Sequence, residues 1–565
     1  MMLAEPINLE IEQSASQTVL QGMRMKIRPS STLPFLGESS QCAGGEAVSA
    51  NRNRIGGDSA ALEIGNRSAL QAGKPHFHCD LSAKTTPFPH FWEHTVGGDH
   101  APMALRADYQ AQLRRCHDEL GFRHVRFHGV LSDDMGTLIC RKEKYLYSFF
   151  NADQIWDFLL GIGMKPFIEL SFMPRTLASD GNTVFRYAGN VTPPKDYKKW
   201  ATLIRKLARH WIDRYGIAEV CTWFFEVWNE PNLHVFWTGT QQDYFNLYRY
   251  TVSALKDVDH RLRVGGPATA KNQWIGEFVA FCDKNNLPAD FVSTHNYPTD
   301  VVKGTSLGDE KDITEAQLAQ SPRSIMCKWA RDVHRLAGGR PVYYTEWNTS
   351  SNPRDPRHDE PYAAAFVTKT VMEASGLVDG YSFWTFSDIF AENYFPSVPF
   401  HGGFGLLNLH GIAKPTYRAF ELLHRLGTEQ LRVHGAHKTV DVWVVRGKEG
   451  VTILFTNCAL PRHPIGKERA CVRLTGALRP RTVSVERIDE EHANPKSLWR
   501  EMGRPTYLSS KQVEQLQSDS RLVAERQLWK YEQGAIHLDI DLPPQSAAAI
   551  TVKLRPRQAD AGAHS

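Results

Sequence analysis

The stretch Thr222-Trp-Phe-Phe-Glu-Val-Trp-Asn-Glu-Pro-Asn232 decides the fold. From Thr222 to Trp228 it is apolar and aromatic, as a strand buried on both faces is, and it stops at Asn229-Glu230-Pro231. Before it, residues 197–215 have the spacing of an amphipathic helix ended by Gly216, and Lys165-Pro-Phe-Ile-Glu-Leu-Ser-Phe172 reads as another buried strand. Outward from there the alternation repeats. Strands are expected at 76–81, 124–128, 263–266, 291–294, 341–345 and 380–386, with helices between them at 105–120, 154–162, 273–284 and 361–374. Eight strands crossed by helices predict an α/β fold, a parallel (β/α)8 barrel of the TIM type, with 76–81 as its first strand. A doubly wound sheet is the alternative, but no glycine-rich phosphate loop follows the first strand.

At 565 residues the chain is too long for one ordinary domain. Residues 1–72 are rich in Ser, Gln, Gly and Asn; they read as a partly flexible segment whose short apolar patches could lend strands to a neighbouring sheet. The barrel is expected over 73–427. Beyond it, short strands at 439–445, 451–455, 470–474, 482–485 and 548–552, separated by turn residues, predict an accessory β-sandwich over 428–557, followed by a tail at 558–565.

The charge balance, 66 basic against 62 acidic residues with no basic block, gives a nucleic-acid partner no electrostatic support. No apolar run is long enough for a membrane span. The N-terminus carries no basic-then-apolar secretory pattern, and the nine cysteines are scattered without a C-x-x-C pair. Together these lead us to expect a cytoplasmic protein. Its aromatic content of 11% supplies either a large core or rings that stack on sugar faces.

In a barrel, chemistry sits where strands end at their C-terminal face. Glu230 follows strand four, and Glu346, in Tyr343-Tyr-Thr-Glu-Trp-Asn348, closes strand seven. They are far apart in the chain, so only the fold can bring them together. Two carboxyls facing each other across a sugar are the machinery of glycosidic cleavage, one protonated to release the leaving group and one ionised to attack. A single such Glu would more simply be a strand cap with a salt bridge. Two of them, each after an aromatic strand, make catalysis the better reading.

Glu226-Val-Trp-Asn-Glu-Pro-Asn232 and Tyr344-Thr-Glu-Trp-Asn-Thr-Ser350, with Phe127-His-Gly-Val-Leu-Ser-Asp-Asp-Met135, Asp290-Phe-Val-Ser-Thr-His-Asn-Tyr297, Phe383-Trp-Thr-Phe-Ser-Asp388 and Phe400-His-Gly-Gly-Phe-Gly-Leu406, resemble glycoside hydrolase family 39. That family holds β-xylosidases and α-L-iduronidases, retaining enzymes with carboxylates after strands four and seven. The resemblance implies Glu230 as acid/base, Glu346 as nucleophile and Asn229 at the sugar 2-hydroxyl. It implies Tyr297 and Arg126 orienting the nucleophile, His128 and His295 on sugar hydroxyls, and Trp384 as the platform under the ring. Where β-xylosidases of the family often carry two consecutive glutamates, this chain has Ala391-Glu392, so Glu392 alone is left to read the outer hydroxyls. No Arg or Lys follows His295 closely, which favours a neutral sugar over a uronate.

The expected enzyme is therefore a retaining exo-glycosidase on oligosaccharides or glycosides, a β-xylosidase in the first place. A β-galactoside, β-glucoside, α-L-arabinoside or α-L-iduronide is the alternative substrate. No metal or cofactor is required, and a homo-oligomer is compatible with the sequence. Two rivals stand beside it. A metal-dependent hydrolase would use His76, His78, Glu230, His295 and Asp388, but strand five lacks a terminal histidine. A non-catalytic sugar binder would be expected to have lost a carboxylate.

Overall fold

The computed structural model describes residues 76–301, 311–392 and 397–554. The expected role of 1–72 and the 558–565 tail lie outside these residues. Eight parallel strands close a barrel: β1 (Thr95–His100), β2 (His124–His128), β3 (Lys165–Glu169), β4 (Phe224–Glu226), β5 (Arg263–Thr269), β6 (Phe291–His295), β7 (Val342–Trp347) and β8 (Gly380–Phe383), with β8 returning to β1. Helices between the strands cover the outside. Tyr197–Tyr215 starts at Asp196, whose carboxylate accepts from the Lys198 and Lys199 amides, and Ala107–Leu120 ends at Gly121 in the left-handed conformation (φ 75°).

The first barrel strand is a correction. Residues 76–81 were expected to supply it, but His76–Asp80 pairs in parallel with Glu468–Thr475 and antiparallel with Val433–His434, in the accessory domain. The physical reason is its period-two pattern. Only Phe77 and Cys79 are buried, which suits a sheet covered on one face. Thr95-Val-Gly-Gly-Asp-His100, by contrast, is buried at every position.

The accessory domain is a sandwich of a five-stranded and a seven-stranded sheet. Phe77, Val472 and Leu538 of one sheet share a core with Val444, Ile453 and Ile550 of the other. It packs on the barrel through the helix Pro361–Glu373, buried on nearly every side, and through Arg323, whose guanidinium donates to the Cys458 carbonyl at 2.7 Å.

The barrel interior is layered. Its N-terminal end is filled by Phe167, Phe224, Phe291 and Tyr343, the Phe167 and Phe224 rings stacked 5.1 Å apart. Above this aromatic plug the interior turns polar, and the candidate site begins there.

Candidate active site

The polar layer is organised around Arg126, inward on β2 and fully buried. Its Nε donates to Glu226 Oε2 at 2.6 Å, its Nη1 to Glu346 Oε1 at 2.8 Å and its Nη2 to Asn229 Oδ1 at 2.9 Å, with Glu169 Oε2 also 2.8 Å from Nη2. Burial opposes the charge of Arg126, but the three carboxylates outweigh it and hold the guanidinium above its usual range. One cation thus gathers β2, β3, β4 and β7 at one level, with its fork fully engaged.

Beyond β4 the chain turns sharply. Trp228 (φ 73°) and Glu230 (φ 43°) both take left-handed backbone, unusual for non-glycine residues, and the Glu230 amide donates to the Ala268 carbonyl at 2.8 Å. Strain of this kind concentrates at functional sites, and here it aims the Glu230 carboxyl back over the barrel mouth. A carboxylate oxygen of Glu230 and one of Glu346 lie within 4.8 Å of each other, and His295 Nδ1 lies 3.0 Å from Glu230 Oε1 and 3.6 Å from Glu346 Oε2.

The two carboxyls sit in different surroundings. Burial, then the charges of Glu346 and Asp300, push Glu230 well above the usual carboxylate range. Burial also raises Glu346, but Arg126 and His128 oppose it and the Tyr297 hydroxyl donates to its Oε2 at 3.1 Å. Of the pair, Glu346 therefore carries the negative charge and Glu230 the proton.

His128 is buried, which disfavours its charge, yet Glu169 Oε2 at 2.6 Å from its Nδ1 and Glu392 Oε1 at 3.3 Å from its Nε2 hold it well above the usual histidine range. His295 differs: burial, with Arg126 and His128 nearby, holds it well below that range, so its imidazole is neutral. Burial pushes Glu392 up to about 8 against the pull of His128. The Ala391 amide beside it donates to Asp99, a fully buried carboxyl pushed by its burial up to about 6. The Glu392 end thus contains a second acidic group at the point where the expected first glutamate is missing. Gly97 makes room for the Trp384 ring, since a Cβ there would lie 2.6 Å from Trp384 Cε3.

Of the sequence-predicted residues, His128, Asn229, Glu230, Tyr297, Glu346, Trp384 and Glu392 line one cavity of about 440 Å3, while Arg126 and His295 support them from behind. Sequence reasoning gave no role to Glu169, Glu226 and Thr345, or to Asp300 and Lys271 in the cavity wall. The signal for Glu169 and Glu226 was present: an acidic residue inside an apolar barrel strand needs a buried cation.

The metal constellation is not assembled. His78 bonds Thr475 in the accessory sheet at 3.1 Å, and Asp388 is paired with Lys414 at 2.6 Å. Glu230, His295 and Glu346 are close enough to gather a cation, but both Glu346 oxygens already accept from Arg126 and Tyr297.

Residues 77–535 match the family model described as glycosyl hydrolases family 39. A protein named β-xylosidase from Caldicellulosiruptor saccharolyticus is 50% identical over 82% of this chain and 95% of its own length. Another of that name from Geobacillus stearothermophilus is 39% identical over 82% of this chain and 92% of its own. Among solved structures, a monomeric β-xylosidase from Caulobacter crescentus is 34% identical over 85% of this chain and 99% of its own, with a TM-score of 0.73. The chain belongs to glycoside hydrolase family 39.

Proposed function

We propose that the protein is a retaining β-xylosidase that releases single terminal xylose residues from xylo-oligosaccharides by double displacement. The carboxyl pair carries this reading. Oxygens within 4.8 Å suit a retaining enzyme, not the roughly 6.5–9.5 Å separation that leaves room for an attacking water in an inverting one. Glu346 attacks the anomeric carbon while Glu230 protonates the departing oxygen. Glu230, then ionised, deprotonates the water that releases the sugar with its configuration retained. Asn229, steadied by Arg126, meets the 2-hydroxyl, His128 and Glu392 take the outer hydroxyls, and Trp384 lies against the ring.

Relatives named β-xylosidase at 50% and 39% identity support xylose as the sugar. The charges at the glycone end agree. A uronate reader would need a free cation there, and His128 is committed to Glu169 and Glu392. Lys271, also in the cavity wall, follows β5, and its charge acts on the Asp300 carboxyl. We place the enzyme's action in the cytoplasm, on oligosaccharides short enough to be imported.

A panel of chromogenic glycosides tests the sugar: the β-xyloside should be cleaved fastest, ahead of the β-galactoside, β-glucoside, α-L-arabinoside and α-L-iduronide. A different leader would leave the mechanism and remove the xylose assignment. The pH profile tests the proton assignment. Lowering pH through the pKa of Glu346 protonates the nucleophile, and raising it through that of Glu230 removes the acid's proton. The profile of kcat/KM is therefore bell-shaped, its basic limb lies well above the ordinary carboxylate range, and Glu230→Gln abolishes that limb.

A further inference from the structure

The protonation of Glu230 is traceable to a chain of hydrogen bonds that begins at the Arg126 layer. Glu226 accepts from Arg126 through Oε2 and from the Thr345 hydroxyl through Oε1, at 2.8 Å. A threonine hydroxyl has one proton. Having given it to Glu226, Thr345 Oγ1 meets His295 Nε2, 3.0 Å away, only as an acceptor. The His295 proton is therefore on Nε2, and Nδ1 of the neutral ring presents a lone pair. That lone pair faces Glu230 Oε1 at 3.0 Å, a distance that requires a proton on the carboxyl.

We propose that Thr345 is a positioning residue of the reaction: with Glu226 it fixes the His295 tautomer, so that His295 accepts from Glu230 and holds it in the acid form needed to release the leaving group. All four groups are buried; Thr345, Glu226 and His295 are at most 1% exposed, so water offers no alternative partners. The relay links β4, β6 and β7, one residue before the nucleophile on the last of these. Other groups also act on His295 and Glu230. Arg126 and His128 disfavour an imidazolium at 295, Glu346 and Asp300 disfavour a carboxylate at 230, and the Tyr297 hydroxyl is engaged by Glu346. These charges set the background, and the relay decides the direction of the bond. Without the threonine hydroxyl, His295 can take the other tautomer, with its proton on Nδ1, and donate to Glu230, which then favours the carboxylate.

The inference rests on Glu230 being the acid of a β-xylosidase, and the experiment separates the two. Profiles of kcat/KM are measured for wild type, Thr345→Val, Thr345→Ser and Glu230→Gln. Two substrates are used, xylobiose, whose leaving group needs a proton, and 2,4-dinitrophenyl β-xyloside, whose leaving group does not. Thr345→Val should move the basic limb down by at least about one pH unit, the worth of one buried hydrogen bond to a charged group. It should lose about tenfold or more on xylobiose, well beyond its loss on the activated xyloside, with the acid limb in place. Thr345→Ser should keep the basic limb at its wild-type position. Equal losses on both substrates, or a basic limb that stays put in Thr345→Val, would overturn the relay. A basic limb that survives in Glu230→Gln would instead overturn the assignment of the acid on which the relay depends.

Discussion

Glu346→Ala is expected to lower kcat/KM for a β-xyloside on the order of 10^4-fold or more, with the fold intact. The size follows from what is removed. Glu346 is the ionised member of the pair, oriented by Arg126 Nη1 at 2.8 Å and the Tyr297 hydroxyl at 3.1 Å. Alanine leaves a small space open to the anomeric carbon from the face opposite the leaving group. Azide should enter it, restore turnover of an activated xyloside and yield the α-xylosyl azide. Rescue of Glu230→Ala should give the β-xylosyl azide, because there the anion attacks the covalent intermediate from the other side. Product configuration by NMR reads both. Wild-type rates in Glu346→Ala, or the same azide from both variants, would exclude Glu346 as the nucleophile.

Arg126→Met carries the largest expected effect on stability. It leaves Glu169, Glu226 and Glu346, all buried, without the cation they share. Breaking a buried ion pair by removing one partner costs about 3–5 kcal/mol, which in a chain of this size lowers Tm by roughly 3–4 °C. Arg126→Lys should recover only part of this, because a single ammonium cannot replace a fork that reaches three carboxylates and Asn229. Scanning calorimetry of the two variants settles it. A loss under about 1 kcal/mol in Arg126→Met would mean that the carboxylates are protonated or solvated in the native state.

The barrel was legible because most of its strands are continuous apolar runs with helices of clear amphipathic spacing between them. The two carboxylate motifs were legible for the same reason, since each follows such a run. The first strand was not. Thr95-Val-Gly-Gly-Asp-His100 contains two glycines and an aspartate, a composition that reads as a turn, and each of the three is there for a tertiary reason. Gly97 clears Trp384, a Cβ at Gly98 would lie 2.4 Å from the Phe127 ring, and Asp99 meets the Ala391 amide. His76–Asp80 took its place in the sequence reading because a short strand does not reveal its partners, which here are Val433–His434 and Glu468–Thr475. The inner polar layer was hidden in a similar way. Glu169 and Glu226 each follow an apolar strand residue, Ile168 and Phe225, and only closure of the barrel shows that both meet Arg126. Thr345 gave no signal at all, since its role consists of two hydrogen bonds to residues from other strands.

His76–Asp80 also fixes when the molecule can be finished. It is one of the first described segments to be synthesised, yet it lies between two strands that follow the whole barrel in the chain. At roughly 5–20 residues per second, it waits tens of seconds on the ribosome with Phe77 and Cys79 uncovered before Glu468–Thr475 exists. A chain ended after the barrel, near residue 427, would retain that apolar edge permanently. His76–Asp80 ties the first described residues to strands beyond the barrel, in an assembly that is completed only once residue 475 has been synthesised.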